Sequence, residues 1–281
     1  MSLGYEEFGT PSGTPVLFVH GYASSRWAAG WTLSAGTLDK YGVRVVSVDR
    51  PGYGRSSPQA QWTRDTVGVL DRLGIERVVA VGVSMGASSA LRLAAAHPGR
   101  VAGVALLGGM PPVPVGERWA PASRADAFYW RLARRAPWLL GGLCAMSAKA
   151  MASAASGDAA ALTARVGRAL PEADLRVFRT LTSTAEAAFI ADIAESARQG
   201  GAAMAHDLRA HLRPWGFEPK EVDMPVHLLH GIDDPKVPVD LVRRLAARLP
   251  RATADYLPGG HFAAFADQDA LMGVLLRLAS G

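Results

Sequence analysis

Cysteine is nearly absent: Cys144 is the single one in 281 residues, which excludes an internal disulfide framework and any metal site built from clustered thiolates. Between Leu143 and Ala145 it reads as a buried, inert thiol rather than a nucleophile. Long apolar runs are missing as well. The longest strongly apolar stretches, Val78 to Val83 and Val101 to Leu107, fall far short of the roughly 18 to 20 residues that span a bilayer, so no membrane span is expected. The first ten residues carry Glu6 and Glu7 and lack the basic-then-apolar pattern of a secretion leader, which makes cytoplasmic residence the expectation. There is no repeat of fixed period and no low-complexity tract beyond the Ala-rich stretch Ala148 to Ala164.

Acidic residues are the scarcer sign, with a formal charge of +5 and a pI near 9.6. Four of those five excess charges fall in residues 111–220, where cations are scattered among acids, with neither helix-turn-helix nor zinc-finger spacing. This is the pattern of an Arg-rich solvated surface, and no nucleic-acid partner is expected. His206 and His211 lie five apart without a third ligand at matching spacing, so no metal is expected either.

What is present is apolar material, 49% of the chain against 20% charged, ample for a packed globule of one large α/β domain or two small ones. Apolar runs bounded by Gly and Pro (Val16 to Val19, Val43 to Val48, Val78 to Val83, Val101 to Leu107) read as strands buried on both faces. Between them, Trp62 to Leu73 and Met85 to Ala96 have helical spacing, and this alternation predicts βαβ units in a parallel sheet. From Pro111 to Lys220 the β-branched runs vanish and Ala, Arg and Leu dominate; Ser123 with Asp126 resembles a capping box, Pro171 opens another helix, and four or five helices are expected. Pro111 to Pro114 reads as an extended hinge. Strand-helix alternation returns with strands at Val226 to His230 and Thr253 to Leu257, a helix at Val239 to Leu249 and a last helix after Ala266. The expected architecture is a core of residues 1–110 and 221–281 interrupted by a helical cap at 111–220.

Gly82-Val83-Ser84-Met85-Gly86 sits where one of these strands meets a helix. A Gly-x-Ser-x-Gly segment in that place is a nucleophile elbow, a tight turn that strains the serine and needs small neighbours. At the helix N-terminus the Met85 N–H lacks an intrahelical partner and faces developing negative charge; a second donor is expected from the loop His20-Gly21-Tyr22, through the Tyr22 N–H. A serine hydroxyl needs a base, and the base an orienting acceptor. His261 follows one late strand on a Gly-rich loop, and Asp233 and Asp234 follow another, all at the carboxyl edge of the sheet where ligands bind. His20, His97, His227 and His230 read as structural.

The order Ser84, Asp, His261, with His20-Gly21, Asp49-Arg50-Pro51-Gly52-Tyr53-Gly54-Arg55-Ser56 and His230-Gly231-x-x-Asp234, closely resembles the α/β-hydrolase superfamily, and within it the capped, cofactor-independent serine hydrolases. The likeness covers residues 15–110 and 222–270; Ala87, where many relatives have glycine, departs from it and narrows the space beside the elbow. It implies an α/β-hydrolase fold with a mostly parallel sheet, helices on both faces and a helical cap in the second half. It implies Ser84 as nucleophile, His261 as general base and acid, Asp234 rather than Asp233 as its orienting acid, Tyr22 and Met85 N–H groups as oxyanion donors, and no cofactor. Trp27, Trp130 and Trp138 are candidates for an apolar substrate pocket, and Arg26 is a candidate partner for a substrate carboxylate. The expected activity is hydrolysis of a small or medium apolar carboxylic ester, with a small molecule as partner and the oligomeric state open. The alternatives are C–C bond hydrolysis or perhydrolase (haloperoxidase-like) chemistry on the same constellation and, from another class, a non-catalytic ligand-binding protein.

Overall fold

In the computed structural model, which describes residues 3–113, 123–179 and 181–281, seven strands form one sheet in the order β1-β3-β2-β4-β5-β6-β7. They are β1 (Tyr5–Gly9), β2 (Thr14–Val19), β3 (Val43–Val48), β4 (Val78–Val83), β5 (Val101–Leu107), β6 (Val226–Gly231) and β7 (Ala252–Leu257). All neighbours run parallel except β1, which pairs antiparallel with β3 through Tyr5 opposite Val48 and Gly9 opposite Arg44. The two central strands β4 and β5 are buried along their whole length, the consequence of Val-rich runs covered by helices on both faces.

Sequence reading missed β1. Its Tyr-Glu-Glu-Phe alternation is that of a half-exposed edge, and there Glu7 pairs with Arg44 of β3 at 2.7 Å. Missed too were α1 (Ala28–Thr32) and α2 (Ala35–Tyr41), too short to show a clear period. With α12 (Gln268–Ala279) they cover one face of the sheet, Ala29, Leu38, Leu271 and Leu275 packing on Val16, Val45 and Val81. The other face carries α3 (Trp62–Arg72), α4 (Gly86–Ala96) and α11 (Val239–Ala246), through Leu70, Leu91 and Leu245.

Between β5 and β6 lie six helices among the described residues, against the four or five expected: α5 (Arg124–Arg135), α6 (Pro137–Ala155), α7 (Ala159–Ala169), α8 (Glu172–Arg179), α9 (Ser183–Ser196) and α10 (Ala202–Ala210). The extra break comes from local caps: Ser123, Asp158 and Thr182 side chains each accept from a first-turn N–H, and Pro137 opens α6. Residues 111–113 have no regular structure, and the rest of the Pro111–Pro114 hinge lies outside the described residues. The insert is tied to the core by buried charge. Arg50 donates to both Asp207 oxygens at 2.8 and 2.7 Å, and Arg26 pairs with Asp49 at 2.8 Å and with Glu195 of α9 at 2.6 Å. No helix of the described residues is long and apolar enough to cross a membrane.

Candidate active site

In the sheet order, β3 lies on one side of β2 and β4 on the other, so the chain diverges at the carboxyl ends of β2 and β4 and leaves a crevice between their loops. The loop after β2 carries Tyr22 and Ala23, and the turn after β4 carries Ser84 and Met85. Ser84 (φ 50°) and Ala23 (φ 50°) are the non-glycine residues with left-handed backbone among those described, and both line one cavity of about 270 Å³. Left-handed backbone at an ordinary residue costs of order 1–3 kcal/mol, a strain that persists only where surrounding contacts over-determine it. Here Ser84 N donates to Leu107 O at 3.0 Å, and Ser84 O accepts from Met110 N at 2.9 Å and from Ala87 N at 3.1 Å. Gly86 allows the turn to close: a Cβ there would stand 2.3 Å from the carbonyl oxygen of Val19.

His261 and Asp234 reach the same rim from β7 and β6. Asp234 Oδ2 accepts from His261 Nδ1 at 2.7 Å, and Oδ1 accepts from the backbone N–H groups of Lys236 (2.8 Å) and Val237 (3.0 Å). Burial of Asp234 works to raise its pKa, yet the His261 charge and these hydrogen bonds outweigh it and hold the carboxyl below its ordinary value. The bond to Asp234 places the imidazole proton on Nδ1 and leaves Nε2 as the basic nitrogen. Asp233 is exposed and takes no part. His261 sits against the Ser84 end of β5: a Cβ on Gly108 (φ 55°) would lie 3.3 Å from His261 Nδ1 and Cε1, while Ser84 bonds to Leu107 and Met110 on either side of that glycine. No hydrogen bond joins the Ser84 hydroxyl to His261 in this structure. The N–H groups of Tyr22 and Met85 donate to no carbonyl or side chain among the described residues.

The cavity beside Ser84 is lined by Tyr22, Met85, Met110, Tyr129, Trp130, Met151, Met204, Leu208 and Val237, with charge contributed by Lys236 and Asp126, which pair at 3.4 Å. Of the three pocket tryptophans expected, Trp130 is there. Trp138 is corrected: it is 78% exposed, on the outer side of α6. Trp27 is corrected as well, since it lines a different cavity with Phe8, Trp31 and Leu181 and lies under the edge ring of Phe8. Arg26, the candidate for a substrate carboxylate, is 1% exposed and committed to Asp49 and Glu195.

Sequence reading missed Lys236, Met151 and Met204 as cavity residues, and Asp174, whose Oδ1 accepts from the N–H of Phe262 at 2.8 Å and so braces the His261 loop from α8. No local signal marks these positions, because their roles come from helices whose docking is tertiary. His20, read as structural, is so in detail: its Nδ1–H donates to Gly21 O at 2.9 Å, and its Nε2 accepts from Arg50 N at 2.9 Å. Burial and the Arg50 charge lower its pKa to about 3, keeping it neutral.

Residues 14–267 match the family described as the alpha/beta hydrolase fold. One relative, a 2-hydroxy-6-oxononadienedioate/2-hydroxy-6-oxononatrienedioate hydrolase of Pseudomonas putida, is 38% identical over 119 residues, 39% of this chain and 41% of its own length. A non-heme haloperoxidase of Rhodococcus erythropolis is 36% identical over 118 residues, 40% of this chain and 42% of its own. The matched part thus spans about two-fifths of these curated relatives. Among solved structures, an esterase from Rhodococcus sp. ECU1013 aligns with a TM-score of 0.65 at 22% identity, over 100% of this chain and 99% of its own. An enol-lactonase from Burkholderia xenovorans LB400 aligns with a TM-score of 0.63 at 20% identity, over 99% of this chain and 96% of its own, and at these identities the likeness is one of fold. A family match over residues 14–267, on a sheet of this order with its helical insert after β5, means that the chain belongs to the α/β hydrolase fold family.

Proposed function

We propose that this chain is a serine hydrolase that cleaves a small or medium, mainly apolar carboxylic ester or related acyl compound through an acyl-enzyme. The observation that carries the reading is the strained backbone of Ser84 (φ 50°), at the edge of an apolar cavity and next to a buried His261–Asp234 pair 2.7 Å apart. Strain of this type persists only where surrounding contacts hold it, and a strand-to-helix turn of this kind presents the serine hydroxyl at the top of the sheet.

In the proposed reaction His261 Nε2 takes the Ser84 proton as Oγ attacks the carbonyl carbon. Asp234 keeps the ring in the required tautomer and offsets the charge of the imidazolium. The oxyanion is held by the N–H groups of Tyr22 and Met85, preorganised donors that need no rearrangement as charge develops. His261 then protonates the leaving alcohol, and a water deprotonated by the same ring releases the acid. Residues 111–220 act as a cap: Tyr129, Trp130, Met151, Met204 and Leu208 supply the apolar roof that selects the acyl or alkyl chain.

The relatives named as hydrolases of a dioate raise a C–C bond reading on the same groups. A diacid needs free cations, and among the described residues of the cavity the one cation, Lys236, already faces Asp126. The ester reading is preferred for that reason. The Ser84→Ala variant is expected to lose turnover of p-nitrophenyl butyrate and labelling by a fluorophosphonate; undiminished labelling overturns the assignment. A panel of simple esters against dienoic diketo acids is expected to favour the esters, and the reverse ranking moves the chain to C–C hydrolysis.

A further inference from the structure

Ala23 shares the left-handed backbone of Ser84 (φ 50° at both), lines the same cavity and follows Tyr22, whose N–H is one of the two oxyanion donors proposed above. The bonds that hold Ser84 come from Leu107, Met110 and Ala87, all in the core. Those that hold Ala23 have another origin. Tyr22, Ala23 and Ser24 make no backbone–backbone hydrogen bond among the described residues, so the strained segment is fixed from its two ends. Upstream, Gly21 O accepts from Arg50 Nη2 at 2.8 Å and from His20 Nδ1 at 2.9 Å, and Arg50 is itself fixed by Asp207 of α10.

Downstream, the clamp is Asp192 of α9. Its Oδ1 accepts from Ser25 N at 2.6 Å, Ser25 Oγ at 2.8 Å and Ser24 Oγ at 3.1 Å; its Oδ2 accepts from Ser24 Oγ at 3.0 Å and from Trp31 Nε1 of α1 at 3.0 Å. The side chain is 4% exposed and makes no ion pair among the described residues, since Arg26, next in the chain after Ser25, pairs with Asp49 and Glu195. A buried carboxylate without a cation is costly, and here burial raises its pKa to about 6 in spite of four donors. Apolar groups of the same shape in place of such donors and their acceptor are often neutral for stability. What the carboxylate supplies is direction: an N–H and two hydroxyls of Ser24 and Ser25 converge on it and set the course of the chain as it leaves Ala23.

We propose that Asp192 is a positioning residue for the oxyanion site: α9 of the insert clamps Ser24 and Ser25, and the clamp keeps Ala23 in its left-handed backbone and thereby sets the direction of the Tyr22 N–H. The role rests on the serine-hydrolase reading of Ser84. It gives the insert a share in stabilising the transition state besides roofing the cavity.

Steady-state kinetics of the full chain on p-nitrophenyl butyrate, at a mildly alkaline pH where Asp192 is ionised, test the role together with two ketones of matching chain length. With a trifluoromethyl ketone, Ser84 Oγ adds to the carbonyl carbon, the serine proton passes to His261 Nε2 and the ketone oxygen becomes an oxyanion; the methyl ketone binds as the free carbonyl. Asp192→Ala is expected to lower kcat about thirtyfold or more with KM within about twofold, and to weaken the trifluoromethyl ketone by a like factor while leaving the methyl ketone unchanged. Asp192→Asn, which keeps an acceptor for the Ser25 N–H, is expected to recover most of that loss. A merely structural role would lower the urea midpoint and leave kcat per folded molecule and both ketone affinities as in the wild type, and that result overturns the proposal. Where Asp192→Ala does not fold, the double variant Ser24→Ala/Ser25→Ala decides, because it keeps the carboxylate and removes its two hydroxyl donors. Its kcat is expected to be about tenfold lower, and an unchanged kcat overturns the proposal. A wild-type chain that neither turns over the ester nor is held by the trifluoromethyl ketone overturns the serine-hydrolase reading and the positioning role with it; a wild type that does both, beside unaffected variants, overturns the positioning role alone.

Discussion

Ser84 illustrates how firmly a single strained residue must be held. Its φ of 50° is held by three backbone hydrogen bonds and by the contact that only glycine permits at position 86. A Gly86→Ala substitution is expected to destabilise the fold by about 1–3 kcal/mol, read from the shift in urea midpoint, because its methyl has backbone rather than a flexible side chain to displace. An unchanged midpoint would mean that the turn is looser than its geometry implies. Asp234 poses a chemical rather than a steric question. An Asp234→Asn variant keeps the shape but presents an amide N–H or a weaker acceptor to His261, and kcat on the ester is expected to fall by about 10³- to 10⁴-fold with little change in KM. A loss confined to KM would contradict the orienting role. Ala87, which departs from the glycine of many relatives, is fully buried with its Cβ against Gly109. Its methyl is accommodated because position 109 has no side chain to oppose it.

At the scale of elements, three buried aspartates of the insert join Glu195 in holding the core, from α8, α9 and α10. Asp174 of α8 grips the His261 loop, Asp192 of α9 accepts from Ser24, Ser25 and Trp31, and Asp207 of α10 takes Arg50 and the Tyr53 hydroxyl at 2.7 Å. Breaking a buried ion pair by removing one partner costs about 3–5 kcal/mol, since the other charge stays buried alone. Asp207→Ala is therefore expected to lose about that much stability in urea titration, and a loss below about 1 kcal/mol would show that Arg50 finds water or another acceptor. Asp174→Ala is expected to reduce kcat about tenfold through a misplaced His261, with Asp174→Asn, which retains an acceptor for Phe262 N–H, recovering most of it. Of the insert's helices, α5 was legible from Ser123 with Asp126 and α8 from Pro171, but nothing in the sequence says that Asp174 or Asp207 faces inward. An acid on a helix looks the same in one dimension whether it meets solvent or a buried arginine.

For the whole molecule, the buried histidines dominate the response to acid. His20 is held neutral with a pKa lowered from 6.5 to about 3, and burial lowers His211 and His230 too. A histidine whose folded pKa is depressed contributes nothing unfavourable above pH 6.5, and below it the unfolded state gains protons that the folded state refuses. Between pH 6.5 and 5 His20 alone removes about 2 kcal/mol. Asp192 works against this: burial raises its pKa from 3.8 to about 6, so its folded form takes up a proton first and stability rises as pH falls from 6 to 5, by about 1 kcal/mol. Burial raises the Asp49 carboxyl as well; with three histidines against these two carboxyls the loss prevails, and the unfolding free energy is expected to be lower at pH 5 than at pH 7.5, whereas a higher value would mean that the histidines are hydrated. Composition and pattern by themselves determined the α/β class, six of the seven strands and the strand-to-helix position of Ser84, because a fully buried parallel strand must be an unbroken apolar run and a tight turn must be built from small residues. Only the tertiary structure decided which tryptophan meets the cavity, that Arg26 is spent on Asp49 and Glu195, and that Arg92, Arg209 and Arg213 share a pocket with no acid among its described residues. Those outcomes depend on how an insert of about 110 residues lies on the sheet, and long-range docking leaves no periodic trace along the chain.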